Sequence, residues 1–308
     1  MIKLLAIDMD GTCLDQRSRM TDRTLDVLRK AAKAGITVVP CTGRNLGCIP
    51  HRLAAGVLRE SKTEDDEKNK DLFRYVITSN GAMVTDVKEK KTLFRALIKK
   101  EDALSILSDC RKEKFGIAAH VRHRYFAQGK LFTSAGRIVY GKDAAAVCCV
   151  RNMEEILSKS DCDVEELQFY FPTSKEKEKL KEILSVYPQV KAAYTGIYAE
   201  IFSKDASKGN GLKALSAHLG IEKEEIACIG DGENDSFMFE ESGLKIAMGN
   251  AEEMLKQRAD YVTSSNRHDG AAEAIENISY ESWFYSWIRV QAAVFYRLNL
   301  NWLILRLK

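Results

Sequence analysis

Leu4, Leu5, Ala6 and Ile7 run without a break into Asp8-Met9-Asp10-Gly11-Thr12. An uninterrupted apolar run stopped by a glycine-containing loop suits a strand buried on both faces, as in a parallel sheet. The end of that strand delivers two aspartates, a glycine and a hydroxyl into one loop. In open α/β sheets, ligands sit at the carboxyl ends of the strands. Two carboxylates this close repel unless a cation lies between them, and a hard divalent ion such as Mg²⁺ meets that need.

The same rhythm of buried strand and polar loop recurs. Thr21 is placed to cap a helix carrying Leu25, Leu28 and Ala32, and Gly35 ends it. Ile36 to Pro40 reads as a second buried strand, ending in Cys41-Thr42-Gly43-Arg44. A helix to about Glu60 follows, then an exposed loop over Ser61 to Asp71, then a strand from Tyr75 to Thr78 with an Asn80-Gly81 turn.

From about Met83 the rhythm is lost. Strands are expected at Gly116–Val121, Glu166–Phe171, Lys191–Tyr194 and Ile197–Phe202, with helices at Ala103–Lys112 and Lys175–Ser185. It resumes at Ser203, with a helix opening at Lys208-Gly209 and a strand from Ile226 running into Gly230-Asp231. Further strands near Leu244 and Tyr261 and a last helix to Ile278 complete it. The expectation is an α/β fold: a parallel-sheet core of residues 1–82 and 203–278, an α+β insertion of residues 83–202 between its halves, and a tail of residues 279–308.

Length and charge agree with this. The 308 residues suffice for two domains, and a net charge of +3 is too small to imply nucleic acid. The chain opens directly on a strand, so no secretory leader is expected. Eight scattered cysteines without metal spacing suggest reduced thiols and a cytoplasmic protein, with Cys13 the one to watch for oxidation.

A parallel sheet gathers its strand ends at one edge, so Asp8, Asp10, Thr42, Lys208, Asp231, Asn234 and Asp235 are expected to meet. The set offers one nucleophile, one acid/base, one hydroxyl, one cation and an acidic metal pocket. This suits phosphoryl transfer through an aspartyl-phosphate. Asp8, Asp10 and Asp231 would bind Mg²⁺, Lys208 would hold the transferring group, and Thr42 and backbone N–H groups near Gly43 would donate to its oxygens. Asp10 would move the proton. Arg44 reads equally as a phosphate contact or a salt-bridge partner.

The ordered motifs DMDGT, TGR, SKG and GDGEND resemble those of the haloacid dehalogenase superfamily, and the large insertion between the second and third resembles its Cof-type phosphatases. The resemblance covers residues 1–278. It implies a Rossmann-like core with an α/β cap and Mg²⁺-dependent hydrolysis of a small phosphorylated metabolite, a sugar phosphate among them. It also implies that Asp8 is the nucleophile and Asp10 the acid/base. Thr42 and Lys208 would be the phosphate-holding pair, Asp231 a metal ligand, Asn234 a substrate or phosphate contact and Asp235 a supporting carboxylate. The alternatives are a phosphotransferase or phosphomutase of the same superfamily, or a non-catalytic protein that binds a phosphorylated ligand.

Taken singly, most of these residues have plainer readings. Thr42 and Asn234 suit helix caps, Asp235 suits a helix N-terminus, and a lone lysine is ordinarily solvated. Their order and strand context raise them together. In the insertion, Tyr170, Tyr198 and Glu200 are candidates to face the substrate, and the basic cluster Arg122, His123, Arg124 reads as a solvated face. The tail carries Trp283, Trp287 and Trp302 with four basic residues. Packing on the core or on another copy is preferred for it over an interfacial membrane helix.

Overall fold

The computed structural model describes residues 1–50, 53, 64–69, 72–131, 133–134, 137 and 147–278. The expected helix to Glu60 falls largely outside these residues, and the aromatic tail wholly so.

The apolar run forms strand β1 (Leu4–Ile7), with all four side chains buried. It lies in the middle of a parallel sheet, between β2 (Thr37–Pro40) and β12 (Ile226–Gly230), with β13 (Leu244–Ala247) and β14 (Tyr261–Val262) continuing beyond β12. Neighbours on both edges and helices over the faces explain why β1 shows no apolar–polar alternation. Helix α1 (Asp22–Lys33) is capped as expected, the Thr21 side chain accepting from the Thr24 N–H. It buries Leu25 and Leu28 completely. Truncating either to alanine would cost about 2–5 kcal/mol. Gly35, at φ +88°, releases the chain into β2.

Part of the expected loop at residues 61–71 is instead a short helix, α2 (Glu64–Asn69). Its residues are nearly all polar, so no apolar stripe announces it. Glu64 and Lys68 sit one turn apart, and Asn69 is buried and accepts from Arg29 Nε at 2.9 Å.

Beyond β2, β3 (Tyr75–Thr78) joins the core through a parallel bridge between Cys41 and Ile77. It then leads an antiparallel meander with β4 (Met83–Asp86) and β5 (Lys91–Arg95). Val84 and Val87 belong to the same apolar cluster as β1 and β12. Hydrogen bonding and packing therefore tie residues 83–95 to the first half of the chain, although the sequence rhythm changes at Met83.

The rest of the insertion has its own sheet, of order β10-β11-β9-β6-β7-β8. These strands are β6 (Gly116–Val121), β7 (Arg124–Gln128), β8 (Val147–Val150), β9 (Glu166–Tyr170), β10 (Val190–Tyr194) and β11 (Tyr198–Ser203). All pairings are antiparallel except β7 with β8. Helices α3 (Lys100–Asp109), α4 (Met153–Ser158) and α5 (Ser174–Leu184) cover one face, meeting Leu167, Phe169, Ala199 and Ile201 in a second apolar cluster. Side chains alternate along a strand. Glu166, Gln168 and Tyr170 of β9, and Tyr198 and Glu200 of β11, consequently stand on the opposite face.

Candidate active site

The parallel register decides what meets at the sheet edge. Ile7 lies beside Ile229, so Asp8 follows β1 at the level where β12 runs out into Gly230-Asp231. The Asp8 N–H extends the ladder by donating to the Ile229 carbonyl at 3.0 Å. Helix α6 (Lys208–Leu219) starts at the same edge, its Ser207 cap accepting from the Asn210 N–H. Lys208 is therefore fixed at a helix start and is only 2% exposed.

Lys208 Nζ donates to Asp8 Oδ1 at 2.5 Å and to Asp235 Oδ1 at 2.7 Å. The other oxygen of Asp235 accepts from the N–H groups of Asp231 and Gly232, at 2.9 and 3.0 Å, and so shapes the loop that presents Asp231. Thr12 donates to Asp231 Oδ1 at 2.6 Å, and Asn250 Nδ2 bridges the Gly11 carbonyl and Asp231 Oδ2. Gly11 has φ +86°, and a Cβ there would lie 2.2 Å from Asp231 Oδ2. Only glycine lets the loop pass so close to that carboxylate.

One oxygen from each of Asp8, Asp231 and Asp235 lies within 4.8 Å of the others. Burial pushes the Asp8 carboxyl well above its ordinary range. Lys208 opposes this, and the charges of Asp235 and Asp231 add to it. Burial likewise pushes Asp231 up to about 6, opposed by the Thr12 hydrogen bond. For Lys208, burial disfavours the charge, but the flanking carboxylates of Asp235 and Asp8 outweigh it and raise the ammonium above its usual range. Three acids against one ammonium leave excess negative charge, which a proton or a divalent cation relieves. An all-oxygen, anionic donor set fits a hard cation of the Mg²⁺ type.

Of the other expected residues, Asp10, Gly43, Arg44 and Asn234 line the same cavity, and Thr42 does not. Asp10 points to the open side, 50% exposed at its side chain, and is gripped by both ends of the Arg44 fork at 2.7 and 2.8 Å. Arg44 thus takes the salt-bridge alternative while still lining the cavity. Thr42 is buried, and its Oγ1 accepts from the Arg44 N–H at 3.1 Å. Of that motif, Gly43 and Arg44 line the cavity. Asn234 lines it too, donating to Asn80 Oδ1 at 2.9 Å.

The cavity, about 350 Å³, lies between the sheet edge and the insertion, whose Gln168, Tyr198 and Glu200 form its far wall. Tyr198 and Glu200 are therefore on the cavity as expected. Tyr170 stacks on Tyr198 with ring centroids 5.2 Å apart. Arg122 and Arg124 line a separate cavity elsewhere on the insertion. Cys13 is buried, and burial, with Asp8 and Asp10 nearby, holds its thiol well above its ordinary range.

Sequence reasoning missed how the Ser79-Asn80-Gly81 turn of the core contacts the insertion. Ser79, Asn80 and Gly81 all have positive φ, at 49°, 53° and 87°. Ser79 Oγ donates to Glu165 Oε2 at 2.8 Å and lies 3.3 Å from His120 Nδ1. Burial pushes that imidazole down to about 3, so it stays neutral. Asn80 Nδ2 reaches Glu166 and Glu200 at 3.3 and 3.1 Å. The Asn-Gly pair signalled a turn; its side-chain partners lie 86 to 154 residues away and leave no local trace.

Comparison with known proteins agrees with this geometry. The family model of haloacid dehalogenase-like hydrolases matches residues 5–275. The phosphoglycolate phosphatase of Archaeoglobus fulgidus is 31% identical over 274 residues, covering 89% of this chain and 96% of that protein. Phosphatase YwpJ of Bacillus subtilis is 29% identical over 305 residues, covering 90% of this chain and all of that protein. A crystal structure of a haloacid dehalogenase-like hydrolase from Bacteroides thetaiotaomicron superimposes with a TM-score of 0.76 at 22% identity, covering 90% of this chain and 100% of that one. Sheet order, strand-end acids and sequence match agree: the chain belongs to the haloacid dehalogenase-like hydrolase family.

Proposed function

We propose that this chain is a Mg²⁺-dependent phosphatase that hydrolyses a small phosphorylated metabolite through an aspartyl-phosphate on Asp8. The observation that carries the reading is the meeting of Asp8, Asp231 and Lys208 in one polar cavity. Phosphatase names among the relatives support it.

Residues 1–95 with 203–278 would form the catalytic core, and the sheet of β6 to β11 its cap. Asp8, Asp231 and the Asp10 backbone carbonyl would hold Mg²⁺, with Asp235 supporting Asp231. The ion would supply the positive charge that lets one anion approach another. Lys208 places a second charge at the same point, and N–H groups of the Gly11 and Gly43 loops face the phosphoryl oxygens.

An oxygen of Asp8 attacks phosphorus as the bond to the leaving alcohol breaks, and Asp10 gives that alcohol its proton. Water, losing a proton to Asp10, then attacks the acyl phosphate, frees inorganic phosphate and restores Asp8. Arg44 holds the Asp10 carboxyl in place between the two half-reactions. The cap closes the cavity from solvent while the acyl phosphate exists.

Replacing Asp8 by Asn tests the reading. Release of phosphate from p-nitrophenyl phosphate, with Mg²⁺ and no added acceptor, should fall to background. Unchanged release by Asp8→Asn refutes the nucleophile assignment. Wild-type release only when an acceptor alcohol is added points to a phosphotransferase.

A further inference from the structure

Resting on that phosphatase reading, we infer that Glu200 makes the leaving-group half of the cavity select neutral or cationic alcohols and reject those bearing a second anionic group. The inference comes from the wall opposite the catalytic acids. Strand alternation puts Gln168 of β9 and Glu200 of β11 side by side, paired in register, on the face turned to the core.

The amide donors on that wall are already engaged. Gln168 Nε2 donates to Glu166 Oε1 at 2.7 Å, and Gln168 Oε1 accepts from the hydroxyls of Tyr125 and Tyr170. Asn80 Nδ2 is shared between Glu166 and Glu200. Among the described residues, what the cap offers the cavity is therefore the Glu200 carboxylate beside the Tyr198 ring and its hydroxyl, with the buried Glu166 carboxyl behind them.

Cations are absent from this end among the described residues. The two that line the cavity, Arg44 and Lys208, belong to the core and bind Asp10, Asp8 and Asp235. Three basic residues of the cap, Arg122, Arg124 and Lys159, line a different cavity. A hydroxyl on the leaving group can donate to Glu200, and an ammonium can pair with it. A carboxylate or second phosphate placed there meets like charge, and the two cations that line the cavity among the described residues are already paired with the core acids.

Three esters of matched size and different charge test this: 2-aminoethyl phosphate, 2-hydroxyethyl phosphate and phosphoglycolate. With the full chain and Mg²⁺, kcat/KM should fall in that order, by at least about tenfold from first to last. Glu200→Gln keeps an acceptor for Asn80 and removes the charge. It should draw both charged esters toward the hydroxyl ester and flatten the series. The ratio between esters is the readout, so a general loss of activity in the variant cancels. The inference is overturned if wild type handles phosphoglycolate as well as the hydroxyl ester, or if Glu200→Gln leaves the ratios unchanged. The p-nitrophenyl ester separates the two levels. No release from it removes the phosphatase reading itself, whereas release from it with a charge-independent series removes only the role of Glu200.

Discussion

Substituting Gly11 by Ala should cripple catalysis through a carboxylate that the substitution does not alter. At φ +86° an L-residue carries strain of about 1–2 kcal/mol. The new Cβ would lie 2.2 Å from Asp231 Oδ2 and 2.7 Å from its Cγ, whereas such contacts do not fall below 3.0 Å. The carboxylate must therefore retreat by about 0.8 Å. The Thr12–Asp231 hydrogen bond, now 2.6 Å, would stretch to about 3.4 Å and lose most of its roughly 1.5–3 kcal/mol. Gly35 supplies the control: its φ is +88°, but nothing lies within 4 Å of an added Cβ. Gly35→Ala thus isolates backbone strain from the clash. Steady-state hydrolysis of p-nitrophenyl phosphate across a Mg²⁺ titration reads both effects. Gly11→Ala should lose about 100-fold in kcat/KM, since displacements near 1 Å cost that much, and should need more Mg²⁺ for half-maximal rate. Gly35→Ala should keep its rate and lose only stability. Equal behaviour of the two variants would show that Asp231 need not stand where it does.

Two further outcomes follow from the charge in the cluster. Lys208→Met removes the cation that Asp8 and Asp235 share, so urea unfolding at neutral pH should show a loss of about 3–5 kcal/mol; unaltered stability would mean that the ammonium does not bind these acids in solution. The second is a pH dependence. Asp231 is held at about 6 when folded against an ordinary 3.8, so its ionisation costs stability above pH 6 and that cost disappears as pH falls through 6 toward 4. The full effect is about 3 kcal/mol. A cation that binds the ionised carboxylates should raise the melting temperature more at pH 7.5 than at pH 5; an increment independent of pH would contradict the assignment of these acids as ligands.

How much of this was legible depends on what each residue's neighbours are. Asp8, Lys208 and Asp231 were readable because a parallel sheet brings strand ends together whatever lies between them, and each follows or opens an element with an unambiguous pattern. The pairing of Arg44 with Asp10 was not, because a guanidinium reaches several partners and only the folded loop selects one. Helix α2 escaped because six polar residues carry no apolar period. The core-side packing of β4 and β5 escaped for a different reason. The chain reverses at Asn80-Gly81 from parallel to antiparallel pairing, and the change of rhythm looks like a change of domain while Val84 and Val87 still face the first cluster. The cap wall was half legible. Period two separates Tyr198 and Glu200 from Ala199 and Ile201, but which face turns toward the core depends on where helices α3 to α5 settle.

The turn at Ser79-Asn80-Gly81 shows why these separate pieces act as one site. A Cβ on Gly81 would lie 1.9 Å from the Ser207 carbonyl oxygen and 2.7 Å from the Lys208 backbone nitrogen, so the turn packs directly on the start of helix α6. From that fixed point Ser79 reaches Glu165, and Asn80 reaches Glu166 and Glu200 on one side and Asn234 on the other. Two consecutive non-glycine residues at positive φ are held there only because partners on both halves of the molecule overdetermine them. The position of the cap wall and the position of Asn234 are thereby referred to the same few atoms. Two hydrogen bonds of the Asn80 amide thus join Glu200 of the insertion to Asn234 of the loop that carries Asp231 and Asp235.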